Sequence, residues 1–298
     1  MTHANAKVTI VILNWNGKDD TIECIRSLTH IKYPNYKILL VDNGSTDGSV
    51  ECFKNRYHGI EIIENRENLG YAEGNNVGIR RAMERGVDYV FILNNDTIVS
   101  PDFLSELLVI SKSDPKIGII GPLIYYYEKP TIISSAGVIL NHLSNNAIHL
   151  SMNKEKVNFG KTMDVDYIQG CAMLIKTEVL FKIGLFDPTY FAYWEEADLC
   201  ARAHKIGYRI TVVKKAKIWH KADSYLKNYS TTRNYYITRN RFIYYKKNGS
   251  NINKMFLLLC LPLEIMIRSF HLISKNKPKT FNAYIQGTIH GLKFFLNR

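Results

Sequence analysis

A chain of 298 residues, 46% hydrophobic and 22% charged, has ordinary globular composition and can bury a core without covalent staples, with length for one large domain plus an appendage. Its five cysteines, Cys24, Cys52, Cys171, Cys200 and Cys260, are odd in number and scattered without CxxC spacing, which excludes a disulfide framework or cysteine metal site and fits a reducing compartment. The formal net charge of +12 attracts phosphates of nucleotides, nucleic acids or anionic lipids without choosing among them.

The opening MTHANAKVTIVIL lacks the basic patch, apolar run and cleavage site of a signal peptide, so a cytoplasmic protein is expected. Val8 to Leu13 is a β-branched strand, and Ile22, Ile25 and Leu28 follow at helical spacing. Lys37 to Val41 is a second strand before the helix Ser49 to Arg56. Glu61 to Ile63 is a third strand, Gly74 to Arg85 a helix, and Tyr89 to Leu93 a fourth strand. Strands alternating with helices predict an α/β protein with a parallel sheet, Rossmann-like, whose ligands sit beyond the carboxyl ends of the strands. From Gly118 the pattern turns to short pieces, Ile119 to Tyr126 and Ala136 to Leu140, expected to form a smaller mixed sheet. After Tyr208 to Val213 and Trp219-His220 comes a helical, basic region with many tyrosines. Its apolar run Met255 to Ile267, about 13 residues, is short of the roughly 20 that span a bilayer. Such a run suits the membrane interface, with Arg268 and the later lysines facing anionic lipid, or else a buried or dimer-forming helix.

The polar motifs fall at strand ends. In Val41-Asp42-Asn43-Gly44-Ser45-Thr46-Asp47, Asp42 suits contact with a nucleotide base or ribose, while Asp47 suits a helix cap. Asn68 to Asn76 is a small-residue loop opening a helix, where backbone amides can approach a diphosphate. It has neither GxGxxG spacing nor a GK[ST] ending, so dehydrogenase and NTPase readings lose ground. Asn94-Asn95-Asp96 clusters oxygen ligands suited to Mg²⁺ or Mn²⁺, with Asp96 the principal one. In Tyr193-Trp194-Glu195-Glu196-Ala197-Asp198, three close carboxylates beside aromatic rings predict at least one raised pKa, as a general base needs; Asp198 can pair with Arg202 four residues on. His220 ends the late strand and is open to a structural or a ligating role. The Arg/Tyr segment Arg233 to Arg241 suits an acceptor's phosphates or packing on the catalytic domain, and without a nucleic-acid motif no nucleic-acid partner is expected.

In order and spacing, VTIVILNWNG, ILLVDNGSTDGSV, NLGYAEGNN, YVFILNNDTIVSPDFL, GCAMLI with IGLFD, YFAYWEEADLCARA and KIWH resemble the family 2 glycosyltransferases, especially their rhamnosyltransferase-like branch, over residues 7 to 222. The resemblance implies a GT-A fold with a mostly parallel central sheet flanked by helices. It divides the chain into a catalytic domain at 1–222, with a nucleotide half at about 7–117 and an acceptor half at 118–222, and a helical C-terminal appendage at 223–298. It puts Asn14, Trp15 and Asp42 near the nucleotide and Asn68, Gly70, Gly74, Asn75 and Asn95 near the donor. Asn94-Asn95-Asp96 takes the place of the family's DxD metal motif, so Asp96 would coordinate Mg²⁺ or Mn²⁺, Asn94 would assist weakly and His220 would complete the shell. Glu196 aligns with the acid that acts as base, and Glu195 is its rival.

The implied activity is inverting transfer from a nucleotide-diphosphate sugar, dTDP-rhamnose first and UDP-hexoses next, to a glycan or lipid-linked acceptor hydroxyl in polysaccharide synthesis, at the inner face of the cell membrane. An inactive nucleotide-sugar-binding paralogue would have lost the acid pair, and here both glutamates are present.

Overall fold

The computed structural model describes residues 6–141, 146–221 and 230–297. In chain order the elements are β1 (Val8–Asn14), α1 (Lys18–Leu28), β2 (Tyr36–Asp42), α2 (Ser49–Arg56), β3 (Glu61–Glu64), α3 (Gly70–Glu84), β4 (Tyr89–Asn94), β5 (Thr97–Val99), α4 (Phe103–Ser113), β6 (Ile117–Tyr126), β7 (Ile133–Ser135), β8 (Val138–Asn141), β9 (Asn146–His149), β10 (Thr162–Asp164), β11 (Ala172–Lys176), α5 (Thr177–Ile183), α6 (Glu195–Lys205) and β12 (Arg209–His220). Three C-terminal helices follow, α7 (Thr231–Asn248), α8 (Asn251–Ser274) and α9 (Pro278–Leu296).

One large sheet runs β10-β12-β6-β11-β4-β1-β2-β3, with β5 added on β12 and β7 on β6. Its nucleotide half, β4-β1-β2-β3, is wholly parallel, because each connection is a helix that crosses back over a face. β11 runs antiparallel between β4 and β6, and β6 is parallel to β12. The parallel strands are mostly apolar, with polar residues at their ends, and alternate their side chains between the two faces. From β1, Val8, Ile10 and Ile12 enter the core layer lined by Ile25 and Leu28 of α1 and by Phe103 and Leu107 of α4. Val11 faces the opposite layer, with Ile79 of α3, Leu199 of α6 and Phe242, Ile243 and Tyr245 of α7.

Three expectations change. The helix expected from Gly74 starts at Gly70, because the Asn68 side chain accepts the Gly70 N–H at 2.8 Å and the small residues become its first turn. The stretch 117–126 joins the main sheet as β6, and the smaller sheet is the antiparallel pair β8–β9. The apolar run read as 13 residues is part of a helix of 24, since a Ser250–Asn253 capping box starts it early and it continues through Pro262. That helix is long and apolar enough, by length and composition, to cross a membrane. α7 packs on the catalytic domain, one of the two readings given for its Arg/Tyr segment, with Phe242 fully buried, an apolar burial of about 1.5–3 kcal/mol for that side chain. The boundary expected at 222–223 lies outside the described residues.

Candidate active site

The carboxyl ends of β1, β2 and β4 meet at Asn14, which is fully buried. Its side-chain amide donates to Asp42 at 2.7 Å and Ser45 at 3.1 Å, and its carbonyl oxygen accepts from Thr21 at 2.8 Å and Asn95 at 3.2 Å. Asp42, 1% exposed, also accepts the Ser45 N–H at 2.8 Å. These two residues lie beneath the strand-end surface, while the neighbouring Trp15 is 56% exposed. Asp47 accepts the Ser49 N–H at 3.0 Å, the local role expected of it.

Asn43 carries the next turn. It donates to Asn68 at 2.9 Å and to the Gly70 carbonyl at 3.1 Å, and so fixes the start of α3. Gly70 has φ +80°, and a Cβ there would stand 2.5 Å from the Phe191 ring. Gly74 lies flat on β1, where a Cβ would meet Leu13 at 2.8 Å. Asn75 is fully buried, donates to the Tyr71 carbonyl at 2.9 Å, and leaves its Oδ1 without a protein partner.

Asp96 and His220 come together from the turn after β4 and the end of β12, Oδ1 to Nε2 3.0 Å apart. Burial opposes a charge on His220, but the adjacent Cys171 and Asp96 outweigh it and lift the imidazole to about 10. Asn94 ends β4, its N–H bonded to the Cys171 carbonyl at 2.9 Å. Among the described residues no three His, Cys, Asp or Glu side chains form a metal cluster. One carboxylate facing one imidazole nevertheless suits a divalent ion, which would displace the imidazole proton and take its remaining ligands from water and phosphate.

Glu195 and Glu196 open α6. Glu195 is 3% exposed, and although Glu196 keeps some surface, the Oε2 atom of each is out of solvent and without a protein partner. Burial lifts both carboxyls above the ordinary range. Glu195 rises further through the charge of Glu196, whereas Glu196 is held down by hydrogen bonds from the backbone and from Glu195. Glu195 is thus the member that keeps its proton, and Glu196 the one able to accept another. Both act on the Tyr71 phenol, which burial, then Glu195, Glu196, Cys171 and Asp96 hold neutral, and which donates to the Gly170 carbonyl at 2.6 Å. The charges of Glu195, Glu196 and Asp96, distant in sequence, thus all bear on one phenol.

The loop that aims the acid pair is strained. Phe191, Tyr193 and Trp194 have φ of 61°, 69° and 76°, each costing about 1–2 kcal/mol for an L-residue. Phe191 centres a γ-turn closed by the Ala192 N–H on the Tyr190 carbonyl at 2.7 Å. α7 holds this loop in place. The Asn240 amide lies 2.8 Å from the Tyr190 carbonyl, 2.8 Å from that of Ala192 and 2.7 Å from that of Tyr193. Arg239 donates to the Thr189 carbonyl at 2.7 Å, and Phe191 stacks on Tyr236 at 5.0 Å. On the other side the Ala72 N–H of α3 bonds the Phe191 carbonyl at 3.0 Å.

Residues 9–183 match the model of glycosyl transferase family 2. The chain belongs to that family. Over 202 residues it is 27% identical to the N-acetylglucosaminyl-diphospho-decaprenol L-rhamnosyltransferase of Mycobacterium tuberculosis, covering 61% of this chain and 66% of that one. Over 204 residues it is 25% identical to a low-salt glycan biosynthesis hexosyltransferase of Haloferax volcanii, covering 66% and 62%. The chain thus spans just under two thirds of the length of these relatives. In structure it is similar to a mannosyltransferase from Pyrobaculum calidifontis in complex with GDP-Man and Mn²⁺, with a TM-score of 0.61 at 14% identity, covering 97% of this chain and 88% of that one. The shared architecture is the GT-A fold.

For this family 2 chain, sequence reasoning missed Tyr71, Arg239 and Asn240. Tyr71 lies inside a motif read for its backbone alone. Arg239 and Asn240 lie in a segment whose Arg/Tyr composition carried a signal for phosphate contact, whereas in the fold both hold the carbonyls of the acid-pair loop.

Proposed function

We propose that the protein is an inverting glycosyltransferase. It moves a sugar from a nucleotide-diphosphate donor, dTDP-rhamnose in first place and a UDP-sugar in second, to a hydroxyl of a glycan or lipid-linked acceptor in cell-surface polysaccharide synthesis, at the inner face of the membrane. The observation that carries this is the pairing of Asp96 with His220 at 3.0 Å beyond the carboxyl end of β4, together with the two buried carboxyls of Glu195 and Glu196 that open α6. The donor and acceptor classes follow the mycobacterial rhamnosyltransferase to which the chain is similar.

Glu196 accepts the proton of the acceptor hydroxyl as the acceptor oxygen bonds to the anomeric carbon and the bond from that carbon to the diphosphate oxygen breaks. Glu195, keeping its own proton, donates to Glu196 and holds it in place. Asn14, Asp42 and Asn95 fix the strand-end turns, Trp15 offers an exposed ring to the nucleotide, and the Asn68 to Asn75 segment presents the α3 N-terminus to the diphosphate. Asp96 and His220, with Asn94 beside them, would hold Mg²⁺ or Mn²⁺, which when bound neutralises charge developing on the leaving diphosphate.

The test is nucleotide release with an N-acetylglucosaminyl-diphospho-lipid acceptor and each donor. Glu196→Gln is expected to slow transfer about 10²–10⁴-fold with donor affinity unchanged. Transfer at the native rate in that variant would sink the mechanism.

A further inference from the structure

α8 has two unlike faces. Leu257, Leu261 and Leu272 are buried against the protein, and on that side Glu264 pairs with Arg241 at 2.7 Å and Arg268 donates to Asn234 at 2.9 Å, both partners on α7. The opposite side carries Met255, Leu259, Leu263, Met266, Phe270 and Ile273 at spacings of three and four, all exposed, with Leu259 at 67% and Phe270 at 75%. A helix facing water is polar on that side, and a continuous exposed apolar stripe marks a surface that something covers.

Charge decides among the occupants. From Ser230 to Arg298 the sequence has twelve lysines and arginines and one acidic residue, Glu264, which is already paired. Lys275, Lys277 and Lys279, all exposed, follow directly on the stripe. A second copy docking here would bring like charges together, whereas an anionic lipid surface takes the apolar stripe and the lysines at once. At 1.5 Å per residue, α8 is about 36 Å long, enough to cross a hydrocarbon layer of about 30 Å. Crossing would, however, draw Glu264 and Arg268 and their partners on α7 into the hydrocarbon.

We infer that α8 lies in the plane of an anionic bilayer surface, its stripe inserted among the acyl chains and its polar side still docked on α7. This rests on the proposed use of a lipid-linked acceptor and adds the geometry: the helix that clamps the acid-pair loop is the one α8 holds against the headgroups.

Co-sedimentation of the full chain with phosphatidylcholine vesicles, with and without phosphatidylglycerol, tests it. The native protein is expected to bind the anionic vesicles, to detach on an alkaline carbonate wash, and to bind about tenfold or more weakly as Leu259→Glu/Phe270→Glu. Charge neutralisation in Lys275→Gln/Lys277→Gln/Lys279→Gln should also weaken binding. All these residues are exposed, so melting temperatures close to native are expected. Absence of binding to anionic vesicles, resistance to carbonate, or a dimer in solution that Leu259→Glu/Phe270→Glu dissociates would overturn the inference. Donor binding measured without vesicles separates the two ideas, since its loss in the native protein would defeat the glycosyltransferase proposal and leave the vesicle result standing.

Discussion

Burial, and then the charge of the adjacent Glu196, make the folded protein favour the protonated form of Glu195. A carboxyl raised in the fold above its ordinary 4.5 stabilises the protein fully below that pH, and the contribution is lost as pH climbs through the folded value. Glu195→Gln, which cannot ionise yet still donates to Glu196, is therefore predicted to melt higher than the native protein at neutral pH, with the gain shrinking towards pH 4.5. Thermal unfolding across that range checks it, and a difference that does not change with pH would contradict it. At this scale the chemistry was legible wherever it was acidic: Asp96, Glu195 and Glu196 stand out at element ends, and the Asp198–Arg202 pair forms at 2.8 Å as its spacing implies. Less legible was the work of Asn14 and Asp42, whose side chains turn inward to each other because β1 and β2 end in register. No spacing within one strand encodes that partnership.

α7 is the element whose role was hidden. Its buried Phe242, Ile243, Tyr244 and Tyr245 are consecutive, so no stripe at helical spacing announces a core helix, and its polar residues read as a basic surface. In the fold those same polar residues restrain three left-handed residues ahead of the acid pair. Asn240→Leu removes the amide and leaves part-buried carbonyls unsatisfied. It is predicted to cost roughly 1–3 kcal/mol of stability and to lower transfer with donor affinity kept, because the proposed donor face lies on β1, β2 and α3. Denaturant unfolding together with donor calorimetry measures both effects. Native stability and rate in this variant would show that the loop holds itself. α8 was read short because only its apolar run from Met255 to Ile267 was counted, whereas the cap at Ser250 starts the helix earlier and it continues to Ser274.

Across the whole molecule, alternating strands and helices made the parallel half of the sheet readable, since each βα unit writes its own apolar pattern. The other half was not, because β11 enters between β4 and β6 from far along the chain, and short strands carry too little pattern to reveal such pairing. The same long-range closure brings His220 to Asp96 and α7 to the acid-pair loop, so sheet, Asp96–His220 pair and C-terminal helix form the one device that the proposed function would use to hold a donor against a base. The central claim is that this device binds a nucleotide-diphosphate sugar through a divalent ion. Calorimetry of the full chain with a panel of such sugars, with and without Mn²⁺ or Mg²⁺, on native protein and Asp96→Ala, tests it most directly. The account predicts metal-dependent binding of one donor class that weakens about tenfold or more in Asp96→Ala. Binding of no donor under any metal condition, or equal binding by the variant, would contradict it.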